Sequence, residues 1–341
     1  MKVNDIHIAG IGTAETGVVT TAEAVARGWW SADEREQSGL VSISVAGTTP
    51  APDLAVDAAR RALGYSGHAP EEIKALFHTS VHPQGPDGWS APHYINRYTV
   101  NQPVTSVEVR NGCVGFFSAL QLAVCFLEAV PDRTAALVTA ADNFGTPAVD
   151  RWQASKQYVL ADGGGAVVMS KRGGFARVLA VGAVSDPELE MKHRSGETMF
   201  PPGITVGKTL DFRARMEFFQ KQSAAGKVPP LGDFGSILID ATEITLKEAG
   251  ITLDEITRVI HDGFTRDGIR DMLLDPIGVE EDRGIWEFTR RVGHAGPLDM
   301  IRGVEHVWRN GEAEVGAKLL LVGCAPGMEA ACAVLEITNA P

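Results

Sequence analysis

An α/β fold of two halves alike in plan is predicted by three features: short apolar runs that alternate with helix-period segments, the same alternation recurring after residue 170, and the chain's size and composition. With 341 residues, 44% of them hydrophobic and 22% charged, the chain can bury a large core as two closely packed units. The runs IHIAGIG (6–12), ALFHTSV (75–81), TSVEV (105–109) and AALVTAA (135–141) read as strands of a sheet covered on both faces. Between them, DLAVDAARRALGYSG (53–67) has apolar residues at helical spacing and stops on glycine. VGFFSALQLAVCFLEAV (114–130) is apolar nearly all round and belongs in the interior. The second half repeats the plan: strand FARVLAVGAVSD (175–186), helix SILIDATEITLKEAG (236–250), strand RVIHDGF (258–264), another helix, then KLLLVG (318–323) and AVLEI (333–337). The division falls at 1–172 and 173–341. No residue-level repeat links the halves, so the duplication is one of topology. Residues 185–233, with MFPPGI, KVPPL and the helical piece DFRARMEFFQKQ, read as an insertion or lid in the second half.

Charge and cysteine usage narrow the function. Acidic residues outnumber basic ones 43 to 31, for a net charge of −12, which argues against nucleic acid or an anionic membrane as the main partner. An acidic carrier protein would need a local basic patch. The four cysteines, Cys113, Cys125, Cys324 and Cys332, lack CxxC spacing and sit in apolar runs, so neither a disulfide framework nor a zinc knuckle is indicated. A reducing cytosol fits, and no stretch approaches the roughly 20 apolar residues of a membrane span.

Cys113 lies in VEVRNGCVGFF, where a strand ends, Asn111 and Gly112 turn the chain and a helix begins. A cysteine at a helix N-terminus feels the positive end of the dipole, which favours thiolate, and free helix N–H groups can hold an oxyanion. A small core residue is the bland alternative, and it suits Cys125 and Cys332. His294, in RVGHAGPLDM, is followed five residues later by Asp299 across a Gly-Pro turn, a spacing that allows the carboxylate to fold back on the imidazole. In a Cys-His-Asp set the histidine takes a proton and the aspartate fixes its tautomer. His261, at the end of RVIHDGF, is a second candidate because sites gather at strand ends in open α/β sheets. Each of these is also compatible with a hydrogen-bonding or capping role beside a turn.

Other motifs carry less. LADGGGAVVMS (160–170) leads into a strand, whereas a phosphate loop opens a helix, so Gly163, Gly164 and Gly165 are read as sites of close approach. His78, His82 and His93 lack metal-ligand spacing, and no metal is expected. Trp29 and Trp30 flank a cofactor entrance on one reading, with Trp30 the contact, and are ordinary packing on the other.

Taken in order along the chain, VEVRNGCVGFFSAL, LADGGGAVVMS, RVIHDGF, GHAGPLDMI and VGCAPGMEAACAVLEI resemble the β-ketoacyl carrier-protein synthase III (KAS III) family of the thiolase superfamily. The resemblance implies a thiolase-like five-layered αβαβα fold, a homodimer, and a tunnel through which a pantetheine arm reaches Cys113. It makes RVIHDGF the strand bearing an active-site histidine, His261. It also implies no tightly bound cofactor, with acyl-CoA or an acyl-phosphopantetheine carrier as substrate. Condensing members carry asparagine where His294 stands, so the chain is most similar to the non-condensing acyltransferases of polyketide and antibiotic pathways. A His–Asp pair suits that task, because deprotonating an acceptor needs a base, whereas condensation needs an electrophilic hole. The expected reaction loads Cys113 with a short acyl group, malonyl foremost, and passes it to a sugar hydroxyl of a polyketide or to a carrier thiol. The oxyanion hole is assigned to the N–H of Cys113 and, because Pro326 has none, that of Gly327. The rivals are a condensing synthase and a catalytically idle partner subunit.

Overall fold

In the computed structural model, which describes residues 1–145, 147, 149–228, 234–325 and 328–341, the expected apolar runs become strands. With two short strands that were not expected, β2 and β3, the strands are β1 (His7–Thr13), β2 (Gly17–Thr20), β3 (Ser42–Val45), β4 (Ile73–Thr79), β5 (Thr105–Val109), β6 (Ala135–Asp142), β7 (Gly163–Ser170), β8 (Ala176–Ser185), β9 (Ile256–His261), β10 (Lys318–Ala325) and β11 (Glu329–Ile337). All but β2 and β3 join one mixed sheet in the order β5-β4-β6-β7-β1-β8-β11-β10-β9. Every residue of β6 and β7 is buried, as the continuous apolar runs require of strands with both faces covered.

The order is the same on each side of the midpoint. In the first half a parallel pair, β4 and β6, is followed by antiparallel β7 and β1. In the second, parallel β9 and β10 are followed by antiparallel β11 and β8. The two sets meet where β1 pairs with β8 over only two positions, His7 with Arg177 and Ile8 with Ala176. The duplication that left no trace in side chains is thus present in connectivity.

Layering follows from the glycine run. Side chains alternate across a strand, so Gly163 and Gly165 face one way and Gly164 the other. A Cβ on Gly164 would lie 2.4 Å from backbone of Leu54 in the outer helix Ala51–Ser66, and Cβ atoms on Gly163 and Gly165 would each lie 2.4 Å from Leu298 of the helix Leu298–Arg309. The helices Gly115–Glu128 and Leu298–Arg309 touch strands of both halves and form the central layer, while Phe234–Ala249 covers β8 and β11 on the far side. These are the five layers, α-β-α-β-α.

One expectation is corrected. Gly115–Glu128 is not interior all round: Leu122 is 44% exposed and Cys125 is exposed, so Cys125 is no core residue, whereas Cys332 is fully buried. After β8 the chain turns through two 3₁₀ segments, Pro187–His193 and Gly203–Val206, before the helix Phe212–Ala224, which Asp211 caps through the Ala214 N–H. Among the described residues no helix is long and apolar enough to cross a membrane.

Candidate active site

Cys113 sits in a 3₁₀ turn, Gly112–Val114, between β5 and the helix that starts at Gly115. Both flanking glycines are explained locally. Gly112 has φ +53°, a backbone state that side chains resist, and a Cβ on Gly115 would fall 2.0 Å from Thr79 Oγ1. Asn111 pins the turn by donating to Ser118 Oγ at 2.9 Å and Glu329 Oε1 at 3.0 Å. The turn leaves Cys113 buried, 7% exposed. Burial pushes the thiol pKa up, and the neighbouring His294 pulls it part of the way back.

His294 is brought to Cys113 by backbone. Its N–H donates to Val159 at 3.0 Å and its carbonyl accepts from Ala161 at 2.7 Å, while Gly293 and Gly296 turn the chain with φ of +72° and +60°. The thiol of Cys113 lies 3.0 Å from Nε2, and Nδ1 lies 2.6 Å from Asp299 Oδ2. The carboxylate requires the proton on Nδ1, which frees Nε2 to accept from the thiol. Burial opposes a charged imidazole, yet Cys113 and Asp299 together hold the His294 pKa well above its ordinary value. Cys113 and His294 thus each favour the other's charged form.

Asp299, on the first turn of Leu298–Arg309, also accepts from the Gly263 N–H at 2.7 Å, the Ala295 N–H at 2.9 Å and Arg302 at 2.5 Å. Burial alone would raise its pKa, but Arg302 and His294 bring it down to about 2. Arg302 itself is buried and also donates to the Val292 and Gly293 carbonyls. Sequence reading missed this residue; its signal was an arginine three positions beyond the aspartate on an otherwise apolar helix face.

The structure does not bring His261 to the nucleophile. Its Nδ1–H donates to the Asp262 carbonyl at 2.9 Å and its Nε2 accepts from the Ile285 N–H at 3.1 Å, so neither ring nitrogen is left for chemistry, and burial lowers its pKa to about 4. Its neighbour takes the place. Adjacent strand residues face opposite ways, and at the end of β9 it is Asp262 that joins His294 and Asp299 in a buried cluster whose ligand-type atoms all lie within 4.8 Å of one another. Oδ2 of Asp262 accepts from the Cys324 N–H at 2.9 Å, Oδ1 has no partner among the described residues, and burial pushes the carboxyl up to about 7. Both nitrogens of His294 are spent on Cys113 and Asp299, so the donor set reads as a proton relay rather than a metal cage.

A cavity of about 460 Å³ opens on Cys113 and is lined by Tyr158, Lys192, Phe264, Cys324 and Met328 among others. Tyr158 and Phe264 stack on each other with ring centroids 5.2 Å apart, and both pack against the imidazole, at 4.8 and 5.0 Å from the centroid of His294. Trp30 lies elsewhere: it is buried, packs on Trp152 at 5.5 Å, and lines a neighbouring pocket that shares Ser155, Lys156, Gln157 and Tyr158 with the first. Gly327 and Pro326 fall outside the described residues.

Residues 107–187 match the family 3-oxoacyl-[acyl-carrier-protein (ACP)] synthase III, and residues 246–337 match its C-terminal family. No curated protein sequence matches the chain. Among solved structures, ChlB3, described as an acyltransferase, is 39% identical over 99% of both chains with a TM-score of 0.93. The 3-oxoacyl-[acyl-carrier-protein] synthase III of Aquifex aeolicus is 18% identical, covering 97% of this chain and 99% of its own, with a TM-score of 0.77. OleA of Xanthomonas campestris is 16% identical over 98% of both chains with a TM-score of 0.79. The latter two share the fold, while the first carries the relationship in sequence, and with it the chain belongs to the 3-oxoacyl-[acyl-carrier-protein] synthase III-like family of the thiolase superfamily.

Proposed function

We propose that the chain is a non-condensing acyltransferase that carries a short acyl group on Cys113 as a thioester and hands it to a hydroxyl or thiol acceptor. The line Cys113–His294–Asp299, with contacts of 3.0 and 2.6 Å, carries this reading. In the first half-reaction the Cys113 thiolate attacks the carbonyl of an acyl-CoA or acyl-carrier thioester, the old C–S bond breaks, and His294 returns its proton to the departing pantetheine thiolate. In the second, Nε2 of His294 takes the acceptor's proton, the acceptor oxygen or sulfur bonds to the acyl carbon, and the Cys113 thiolate leaves. Asp299, kept ionised by Arg302, fixes the imidazole tautomer and steadies the imidazolium. The backbone N–H of Cys113, with that of Gly327, is our assignment for the oxyanion hole. A condensing enzyme would want a neutral hydrogen-bond donor beside the histidine, and an idle subunit has no use for a fully supported relay.

Two further assignments follow from the family. The acceptor is a sugar hydroxyl of a polyketide or the thiol of a carrier. The active species is a homodimer, in which a second copy covers the edge strand β5, where Val107 is 38% exposed, and the nearby Leu122.

Malonyl-CoA with free pantetheine as surrogate acceptor tests the reading, with products followed by mass spectrometry and carbon dioxide by trapping. Malonyl-pantetheine with all three acyl carbons is the expected product, and Asp299→Asn should slow its formation by about 10⁴-fold, the loss seen when a triad loses its carboxylate. Release of carbon dioxide with product formation, at a rate Asp299→Asn leaves unchanged, would replace this reading with the condensing one.

A further inference from the structure

Two of the four cysteines share one cavity. Cys113 and Cys324 both line the space of about 460 Å³ at the nucleophile, and each is 7% exposed, so that space is their common route to solvent. The other two lie apart: Cys332 is fully buried with Thr242 Oγ1 at 3.4 Å, and Cys125 is exposed on Gly115–Glu128. The 3₁₀ turn that carries Cys113 packs against β10, where Cys324 is the last residue but one. Hydrogen bonds join the pair to one cluster. The Cys324 N–H donates to Asp262 at 2.9 Å, Asp262 shares its buried cluster with His294, and Nε2 of His294 lies 3.0 Å from the Cys113 sulfur.

Acyl transfer uses the Cys113 thiol and leaves that of Cys324 idle. The bond that fixes position 324 in the site is made by main chain, which any residue except proline supplies, so it gives no reason for a thiol there. Oxidation does give one. A thiolate, not a thiol, attacks a peroxide, and His294 stands ready to take the Cys113 proton, whereas burial pushes the Cys324 pKa well above its ordinary value and keeps it a thiol. Cys113 is therefore the first to react, and Cys324 is the thiol within the same cavity.

We infer that Cys324 is a resolving cysteine, which captures a peroxide-oxidised Cys113 as an intramolecular disulfide. In the first step the Cys113 thiolate attacks one oxygen of hydrogen peroxide, the O–O bond breaks, and the departing hydroxide takes the proton held by His294, giving a sulfenic acid and water. In the second the Cys324 sulfur attacks the Cys113 sulfur, the S–O bond breaks, and the leaving hydroxide takes the Cys324 proton as a second water. The two thiols lose one electron each, and the peroxide is reduced. The disulfide silences the nucleophile until a dithiol restores it, and it spares Cys113 from the sulfinic and sulfonic acids that a dithiol does not reduce.

The test maps the oxidised protein directly and does not depend on the acyl group or acceptor. Reduced protein carrying Cys125→Ser, so that the exposed thiol cannot link two molecules, is treated with graded hydrogen peroxide, alkylated, digested without reductant and read by mass spectrometry. The Cys113 and Cys324 peptides should appear joined, two hydrogens lighter than their sum, and dithiothreitol should return both as free thiols. With Cys324→Ser or Cys324→Ala added, Cys113 should instead reach the sulfinic and sulfonic acids at the same dose and should not be recovered by dithiothreitol. Sulfinic or sulfonic acid at Cys113 with Cys324 still free, a Cys113 that resists peroxide altogether, or equal recovery with and without Cys324 overturns the inference. The joined peptide is sought in protein that keeps Cys324, so the first arm decides even if the Cys324 variants fail to fold. Failure of acyl-CoA to load Cys113 would overturn the acyl-enzyme reading and leave this one standing.

Discussion

Asp262 and Asp299 are both fully buried carboxyl groups beside one imidazole, and their surroundings drive them apart. Asp299 has an arginine, a histidine and two backbone N–H groups, and stays ionised down to about 2. Asp262 has one N–H and an orphaned oxygen, and holds its proton up to about 7. A carboxyl whose pKa is higher folded than unfolded contributes stability that is complete below the unfolded value, near 3.8, and is lost as pH rises through about 7. Asp262→Asn, which carries no such ionisation, should therefore gain thermal stability relative to the wild type as pH is raised from about 4 to about 7, with the difference levelling off beyond. Melting temperatures of the two proteins across that range check it, and a difference that is flat or shrinks would mean that Asp262 is ionised throughout. Cys113, His294 and Asp299 were all legible in the sequence, because a nucleophile elbow and a His-x₄-Asp turn are local patterns. Asp262 and Arg302 were not, since what makes them matter is burial and the absence or presence of partners from distant segments.

The swap of His261 for Asp262 belongs to the scale of elements. Sequence reading placed the strand correctly, and the strand's period of two put the wrong neighbour in the site: a one-residue difference at a strand end exchanges faces. Periodicity serves better where glycine marks it. The run 163–165 alternates between two helices, and the cost of filling it differs by side. On Gly164 a new methyl would meet the Leu54 carbonyl carbon and oxygen at 2.4 and 2.5 Å, backbone that cannot turn away, whereas on Gly163 it would meet the end of the Leu298 side chain. Gly164→Ala should therefore destabilise by more than the about 1–3 kcal/mol usual for overpacking, and Gly163→Ala should stay within it. Denaturant unfolding of the two variants orders them. An equal loss would show that the outer helix yields as readily as a leucine rotamer. The interior helix was misjudged for a related reason: composition reports how apolar Gly115–Glu128 is, but not that the sheet and central layer leave Leu122 and Cys125 uncovered.

Across the whole molecule, two halves with one connectivity place their helices so that a single central layer supplies both partners of the relay. Cys113 precedes the helix of the first half and Asp299 opens that of the second, and the buried glycine contacts lock the spacing between them. Strand and helix order were readable from alternation, and the two-fold plan followed from it. Its register was not readable, because the pairing of β1 with β8 joins His7 to Arg177 and Ile8 to Ala176, residues distant in sequence whose side chains carry no mark of it. The assembled account makes Cys113 a carrier and His294 the base that empties it. Loading the wild type and His294→Ala with one acyl-CoA, chasing each with pantetheine, and mapping the acyl group by peptide mass spectrometry tests this most directly. The account predicts an adduct confined to the Cys113 peptide in both proteins, discharged within the chase by the wild type and retained by His294→Ala. An adduct on another residue, or discharge at the wild-type rate without His294, would contradict it.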